Sequence, residues 1–350
     1  VFGFEIKDMT THSGKITIVF MGTPAFSLPA LKALAADSRI EILAVVTQPD
    51  RPAGRGQKLT PPPIKTLADE LGLPVFQTQS IRKDEALKDH LRTLSADFHV
   101  TVAFGQILTQ EVLEMPKIGT VNAHASLLPE FRGPNPIQQA ILQGKAQTGI
   151  TTMLTELGVD TGPMLLKHTV DIALQETMGE LTERLSLAAG PLLVDTLLGM
   201  QSGQVKAEAQ PHELATHAPK CEKEDALLDW SEPAEVLHRK IRGFNPAPGA
   251  ATFLNGDRVK ILRARLAGNS ENFLNNGAPG EILGMMEAGL AVRTGSGVLE
   301  IQSLQPAGKR EMPARDWAIG HFKDAVNGKQ SLGRFTREPA PAEHLQNSGI

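Results

Sequence analysis

The stretch Val121-Asn122-Ala123-His124-Ala125-Ser126-Leu127-Leu128-Pro129 gathers the side chains best suited to chemistry. If a strand ends near Asn122, Asn122 and His124 project to the same side of the extended chain. An amide beside an imidazole at the carboxyl end of a strand suits acyl-type chemistry. The amide donates to a developing oxyanion, and the imidazole helps move a proton from an amine nucleophile. The same spacing also suits a packed structural histidine with an asparagine closing a turn. Asp160, in Gly158-Val159-Asp160-Thr161-Gly162, is the second candidate. An aspartate between glycines is ordinarily a turn residue bonded to its own backbone. A carboxylate meeting His124 would instead fix the orientation of the imidazole. A serine hydrolase of Ser126, His124 and Asp160 is disfavoured, because no Gly-x-Ser-x-Gly elbow precedes a helix.

The elements that would carry these residues alternate. Lys15–Met21, Ile40–Thr47, Pro74–Phe76, Phe98–Ala103 and Gly119–Asn122 are β-branched or apolar runs of strand length. Between them, Ser27–Ala36, Ile64–Leu71, Asp84–Leu94 and Thr109–Glu114 repeat apolar residues at helical spacing. This grammar predicts an open, mostly parallel α/β sheet with flanking helices, of Rossmann-like type. Ligands then bind outside the carboxyl ends of the strands. Gly22-Thr23-Pro24 marks the first strand-to-helix turn but lacks the Gly-x-Gly-x-x-Gly phosphate turn of a dinucleotide-binding dehydrogenase. A helix at Pro136–Gln143, strands at Gly149–Leu154 and Met164–Val170, and a long helix at Met178–Met200 follow. Gly199–Pro219 is rich in Gln, Ala, Gly, Pro and His with weak periodicity, as a linker is.

Beyond it the pattern changes. A helix at Ala234–Ile241 precedes short strands at Ala250–Leu254, Arg258–Ala264, Gly280–Leu283, Ala291–Arg293 and Leu299–Leu304, separated by turns such as Asn255-Gly256-Asp257 and Asn275-Asn276-Gly277. These predict a small OB-like antiparallel β-barrel. The Pro- and Ala-rich tail from Glu338 is expected to be disordered. The resulting boundaries are 15–203 for the first domain, 204–222 for the linker, 223–330 for the second domain and 331–350 for the tail.

Composition bounds the function. The chain has 350 residues, 41% hydrophobic and 21% charged, as in a globular protein of two domains. Apolar runs such as Val100–Phe104 fall far short of the roughly 20 residues a membrane span needs. No basic segment followed by an apolar run opens the chain, so a cytoplasmic location is expected, with Met9 as a candidate natural start. The single cysteine, Cys221, excludes a disulfide framework and a cysteine zinc cluster. Ten scattered histidines leave no metal site expected. The net charge of −4 does not advertise a nucleic-acid partner, although it says nothing of local patches.

From about Lys15 to about Arg315 the chain resembles the folate-dependent formyltransferases, and among them the methionyl-tRNA formyltransferases. The matching features include Gly22-Thr23-Pro24, Thr47–Gly56, Phe104-Gly105-Gln106-Ile107-Leu108, Asn122–Pro129 and Asp160-Thr161-Gly162. Phe244-Asn245-Pro246 and Leu304–Lys309 supply the C-terminal matches. Each is weak alone; their order and spacing make the resemblance specific.

The resemblance implies 10-formyltetrahydrofolate as cosubstrate, initiator methionyl-tRNA as partner, and Asn122, His124 and Asp160 as the catalytic set. It implies a folate slot near Gly105, Gln106, Ile107 and Leu108, with Ser126, Leu127, Leu128 and Pro129 adjoining. Gln48–Pro63, with Arg51, Arg55 and Lys58, has the composition of an exposed, positively charged loop. In the tRNA-acting members such an insertion enters the acceptor stem, and Arg55 matches its key arginine. Arg239, Lys240 and Arg242, with Arg258, Lys260, Arg263 and Arg265, make the second domain locally basic. The chain departs from the family pattern at Phe104, Glu130, Phe131 and Pro134-Asn135. Three alternatives share part of this pattern: a formyltransferase for a nucleotide-linked amino sugar or purine precursor, a formyl-folate hydrolase, and a tRNA-binding protein without catalysis. A monomer is the simplest expectation.

Overall fold

The computed structural model describes residues 14–54, 56–267, 277–322 and 332–339. Met9, Arg55 and the tail beyond residue 339 lie outside them. The chain divides into two compact units.

The first unit is built on β1 (Ile16–Gly22), β2 (Ile40–Thr47), a hairpin of β3 (Arg51–Ala53) and β4 (Lys58–Thr60), and β5 (Val75–Gln77). It continues with β6 (Phe98–Val102), β7 (Gly119–His124), β8 (Gln147–Leu154) and β9 (Met164–Asp171). Helices α1 (Leu28–Ala36), α2 (Pro63–Glu70), α3 (Glu85–Leu94) and α4 (Gln110–Leu113) connect them. The sheet order is β5-β2-β1-β6-β7-β8-β9. Its first five members pair in parallel, and β8 and β9 complete it antiparallel. β1 is buried along nearly its whole length, as a strand covered on both faces must be, which explains its continuous run ITIVFM. Val19, Met21, Ala44, Val46, Leu87, Leu91, Phe104 and Leu108 share one buried cluster.

Local chemistry sets the element ends. Asp84 accepts the amide of Leu87 and caps α3 at its start, and Ser95, in left-handed conformation, closes it. Prolines 62 and 63 open α2, where a missing amide costs nothing.

β2 and β5 lie on one side of β1, while β6 and β7 lie on the other. The crevice outside the carboxyl ends of β1 and β6 is therefore the topological switch point. Thr23 Oγ1 and Gln48 Nε2 both donate to the Phe104 carbonyl at 3.0 Å, tying the exits of β1, β2 and β6 together there.

The second unit contains α5 (Pro136–Leu142), apart from its first residue, and the 172–181 segment with the start of α6 (Met178–Gln201). From residue 219 onward it contains α7 (Ala234–Gly243), β10 (Ala250–Leu254), β11 (Asp257–Leu266), β12 (Ile282–Met285), β13 (Leu290–Arg293), β14 (Val298–Pro306), β15 (Met312–Pro313), α8 (Ala314–His321) and β16 (Phe335–Thr336). Strand order β12-β13-β14-β11-β10-β16, antiparallel throughout, forms a curled half-barrel around Leu237, Ile241, Phe244, Ile261, Leu299 and Leu304. The Ile282 amide to the Gly333 carbonyl (3.0 Å) and the Phe335 amide to the Gly280 carbonyl (2.8 Å) join its edges.

Several details differ from the sequence expectation. β7 extends two residues further, to His124. The Gln48–Pro63 stretch contains the β3–β4 hairpin, with Arg51 opposite Thr60 and Ala53 opposite Lys58. Its prolines and glycines mask a strand pattern that only the pairing reveals. α8, β15 and β16 were not legible, being short elements stabilised by packing rather than by periodicity. Residues 204–218, linker-like in composition, are bonded into the first unit: Glu208 and Met164 exchange backbone hydrogen bonds of 2.8 Å in both directions. Among the described residues, no helix is long and apolar enough to cross a membrane.

Candidate active site

Asn122 and His124 both lie on β7, two residues apart and therefore on one side of it. The next strand edge supplies Thr101 of β6, in register with Asn122. Thr101 donates its hydroxyl to Asn122 Oδ1 at 2.9 Å. With its oxygen engaged, the Asn122 amide presents its nitrogen as a donor.

His124 is buried, at 6% exposure. Its Nε2 lies 2.9 Å from the carbonyl of Phe131. A carbonyl only accepts, so Nε2 carries the proton and donates it. That leaves Nδ1 facing the carboxylate of Asp160, with Oδ2 at 3.5 Å. This is ion-pair distance rather than a closed hydrogen bond. The same Oδ2 accepts the amide of Gly133 at 2.8 Å. Asp160 sits at φ +53°, a left-handed conformation uncommon outside glycine. Beside it, a Cβ on Gly162 would stand 1.9 Å from the Leu154 carbonyl, so only glycine allows the chain to pass this close to β8. The structure thus brings together the three side chains singled out from sequence. It adds Thr101, the Phe131 carbonyl and the Gly133 amide, which no spacing rule points to.

The other candidates divide. Gly105 (φ +77°) and Ile107 are exposed beyond β6, alongside Ala103 (φ +48°). Gln106 turns inward, donating to the Thr78 carbonyl at 2.9 Å and accepting the Ile81 amide at 2.7 Å. Leu108 belongs to the core of the first unit. Ser126 is fully buried, its hydroxyl bonded to the Glu130 carbonyl at 2.6 Å. Leu128 packs with Met153 and Met164, while its carbonyl accepts Lys167 Nζ at 2.7 Å. Leu127 and Pro129 are half-buried.

Arg51 and Lys58 stand exposed on the β3–β4 hairpin; Arg55 falls outside the described residues. In the second unit Arg239 and Lys240 are half-buried on α7 and donate to the carbonyls of Leu142 and Leu227, both at 3.2 Å. Arg242 is buried, donating to the Glu176 carbonyl at 2.9 Å, and burial lowers its pKa. It braces the unit from inside. A register shift at Leu262 keeps Arg258, Lys260, Arg263 and Arg265 on one outer face of β11. Arg263 pairs with Glu180 and Arg265 with the buried Glu300.

The chain is similar to known proteins along most of its length. Residues 15–197 match the family model described as formyl transferase, and residues 220–321 match that of the formyl transferase C-terminal domain. A methionyl-tRNA formyltransferase of Pseudomonas fluorescens is 48% identical over 94% of this chain and 99% of its own length. One from Trichlorobacter lovleyi is 44% identical over 87% and 94%. Among solved structures, the sugar 3N-formyl transferase WlaRD, determined in the presence of dTDP and 5-N-formyl-THF, superposes with a TM-score of 0.59 at 17% identity, covering 86% of this chain and all of its own. HypX from Aquifex aeolicus, in complex with tetrahydrofolic acid, gives 0.58 at 18% identity, covering 88% of this chain and 48% of its own. Those two share the fold. The chain belongs to the formyl transferase family.

Proposed function

We propose that the chain transfers the formyl group of 10-formyltetrahydrofolate to the α-amino group of methionyl-initiator tRNA. The observation that carries this is the convergence of the Asn122 amide, the His124 ring and the Asp160 carboxylate at the carboxyl edge of the first unit's sheet. Relatives 44–48% identical over almost their whole length carry the methionyl-tRNA formyltransferase name, which favours this acceptor over a nucleotide-linked sugar.

The exposed backbone at Ala103, Gly105 and Ile107 fits a flat, amide-rich ring, which needs donors and acceptors beside apolar surface. Folate bound there supplies the formyl group. Asn122 donates through its amide nitrogen to the negative charge that develops on the formyl oxygen. His124 works through its Nδ1 edge, because Nε2 is committed to the Phe131 carbonyl. The amine bonds to the formyl carbon as the bond from that carbon to the folate nitrogen breaks. The proton that the amine sheds is held on Nδ1 opposite Asp160 Oδ2 and returned to the departing nitrogen. The amine titrates near neutrality, so proximity and charge stabilisation do most of the work. Arg51 and Lys58 of the hairpin, with Arg55 between them in sequence, meet the tRNA backbone phosphates, and Arg239, Lys240, Arg258 and Lys260 offer the second unit's contribution.

An acceptor competition tests this. With 10-formyltetrahydrofolate, charged initiator tRNA and a dTDP-amino sugar present together, formyl-methionine is the expected product. Transfer to the sugar in its place would overturn the assignment.

A further inference from the structure

The segment between the two family matches, residues 198–219, has no function assigned by either. Within it, Gln210 is 4% exposed and every polar site of its side chain is engaged. Nε2 donates to the carbonyls of Asp160 (2.9 Å) and Gly162 (2.7 Å). Oε1 accepts from Arg132 Nε (3.0 Å) and Nη2 (2.7 Å). An amide has two donor hydrogens and two acceptor lone pairs, so the set is complete and its orientation unambiguous. Arg132, 6% exposed, joins it to the loop that carries Phe131.

The same segment holds that loop a second time. Thr216 accepts the Phe131 amide on its hydroxyl and the Arg132 amide on its carbonyl, both at 2.9 Å, and the Ala218 amide donates to the Arg132 carbonyl at 2.7 Å. Phe131 and Asp160 are the groups that face the two ring nitrogens of His124. Both are therefore fixed from one strip of chain, residues 210–218.

The geometry points to Gln210 as a positioning residue for formyl transfer: it clamps the left-handed Asp160 turn and, through Arg132, keeps both partners of the His124 ring in register. The assignment rests on the formyl-transfer role proposed above. It is independent of the identity of the acceptor. The clamp answers a physical need: the Gly133 amide holds the Asp160 carboxylate, while Gln210 holds the positive-φ backbone beneath it.

A double-mutant cycle tests it. Gln210→Met is compared with wild type, and again in an Asp160→Asn background, by single-turnover formylation. In the wild-type background the transfer rate should fall on the order of 10–100-fold, as misplacement of a catalytic group by about an ångström does. KM values for both substrates should stay within about twofold, because the loss falls on transition-state interactions. In the Asp160→Asn background the same change should cost less than about threefold, the mark of two residues acting as one unit. An equal loss in both backgrounds, or a rise in KM at unchanged rate, would overturn the clamp. A readout free of activity runs alongside: the ¹⁵N resonance of His124 Nδ1 should shift in Gln210→Met and in the milder Thr216→Val. Unchanged His124 resonances in folded protein refute the clamp, whereas absent formylation by wild type refutes the formyl-transfer role.

Discussion

The hydroxyl of Thr101 on β6 donates to Oδ1 of Asn122 on β7 at 2.9 Å. One hydrogen bond between neighbouring strands thereby decides which end of the amide is free. Thr101→Val keeps the shape and removes the donor, leaving the amide free to rotate. Formylation should slow by roughly tenfold, less than the about 10²–10³-fold that outright loss of an oxyanion donor costs. The folate dissociation constant, measured by fluorescence titration, should not change.

His124 and Asp160 form the proton-handling pair. His124→Ala should lower kcat by about 10²–10⁴-fold, the usual contribution of general acid–base catalysis. Asp160→Asn keeps an acceptor for the Gly133 amide but loses the charge opposite Nδ1, so an intermediate loss is expected. Steady-state kinetics on tRNA and direct folate binding separate the catalytic loss from a binding one.

The hairpin should matter for tRNA alone. Arg51→Ala, Arg55→Ala and Lys58→Ala are each expected to raise KM for tRNA while leaving folate binding intact. Each phosphate contact removed should flatten the dependence of log K on log salt by about 0.7–0.9. Affinity measured at several salt concentrations checks this; equal weakening of folate binding would remove the hairpin from tRNA recognition.

Buried His99 gives the first unit an acid-sensitive point. Burial lowers its pKa from 6.5 to about 4, only partly offset by its hydrogen bond to the Val112 backbone. The folded state therefore binds this proton less readily than the unfolded chain does. Its contribution is fully present above pH 6.5 and is lost as pH falls towards 4. The loss is on the order of 2–3 kcal/mol. His99→Leu should flatten the fall in Tm across that window, as thermal unfolding at pH 7, 6, 5 and 4 would reveal.

Much of this architecture is legible in sequence because it follows from period. Ile16–Met21 is apolar except at Thr17 since β1 is covered on both faces. Asn122 and His124 share a side because strand residues alternate. Asp160 is a candidate from its own motif, but a glycine-flanked aspartate reads equally as an ordinary turn, and only the resemblance singles it out. Arg242 illustrates the opposite failure, since a basic residue on a helix suggests a surface, and only tertiary packing shows it bonded inward to the Glu176 carbonyl. Gln210 lies fifty residues from Asp160 in a stretch without periodicity, and nothing local marks it as a clamp.

The most direct measurement is formyl transfer from 10-formyltetrahydrofolate to charged initiator tRNA, with wild type and His124→Ala run side by side and folate binding measured on both. Formyl-methionine from wild type, and a collapse of its formation in His124→Ala with folate still bound, is the predicted result. No product from wild type where a related methionyl-tRNA formyltransferase succeeds, or full activity in His124→Ala, would contradict the proposed chemistry.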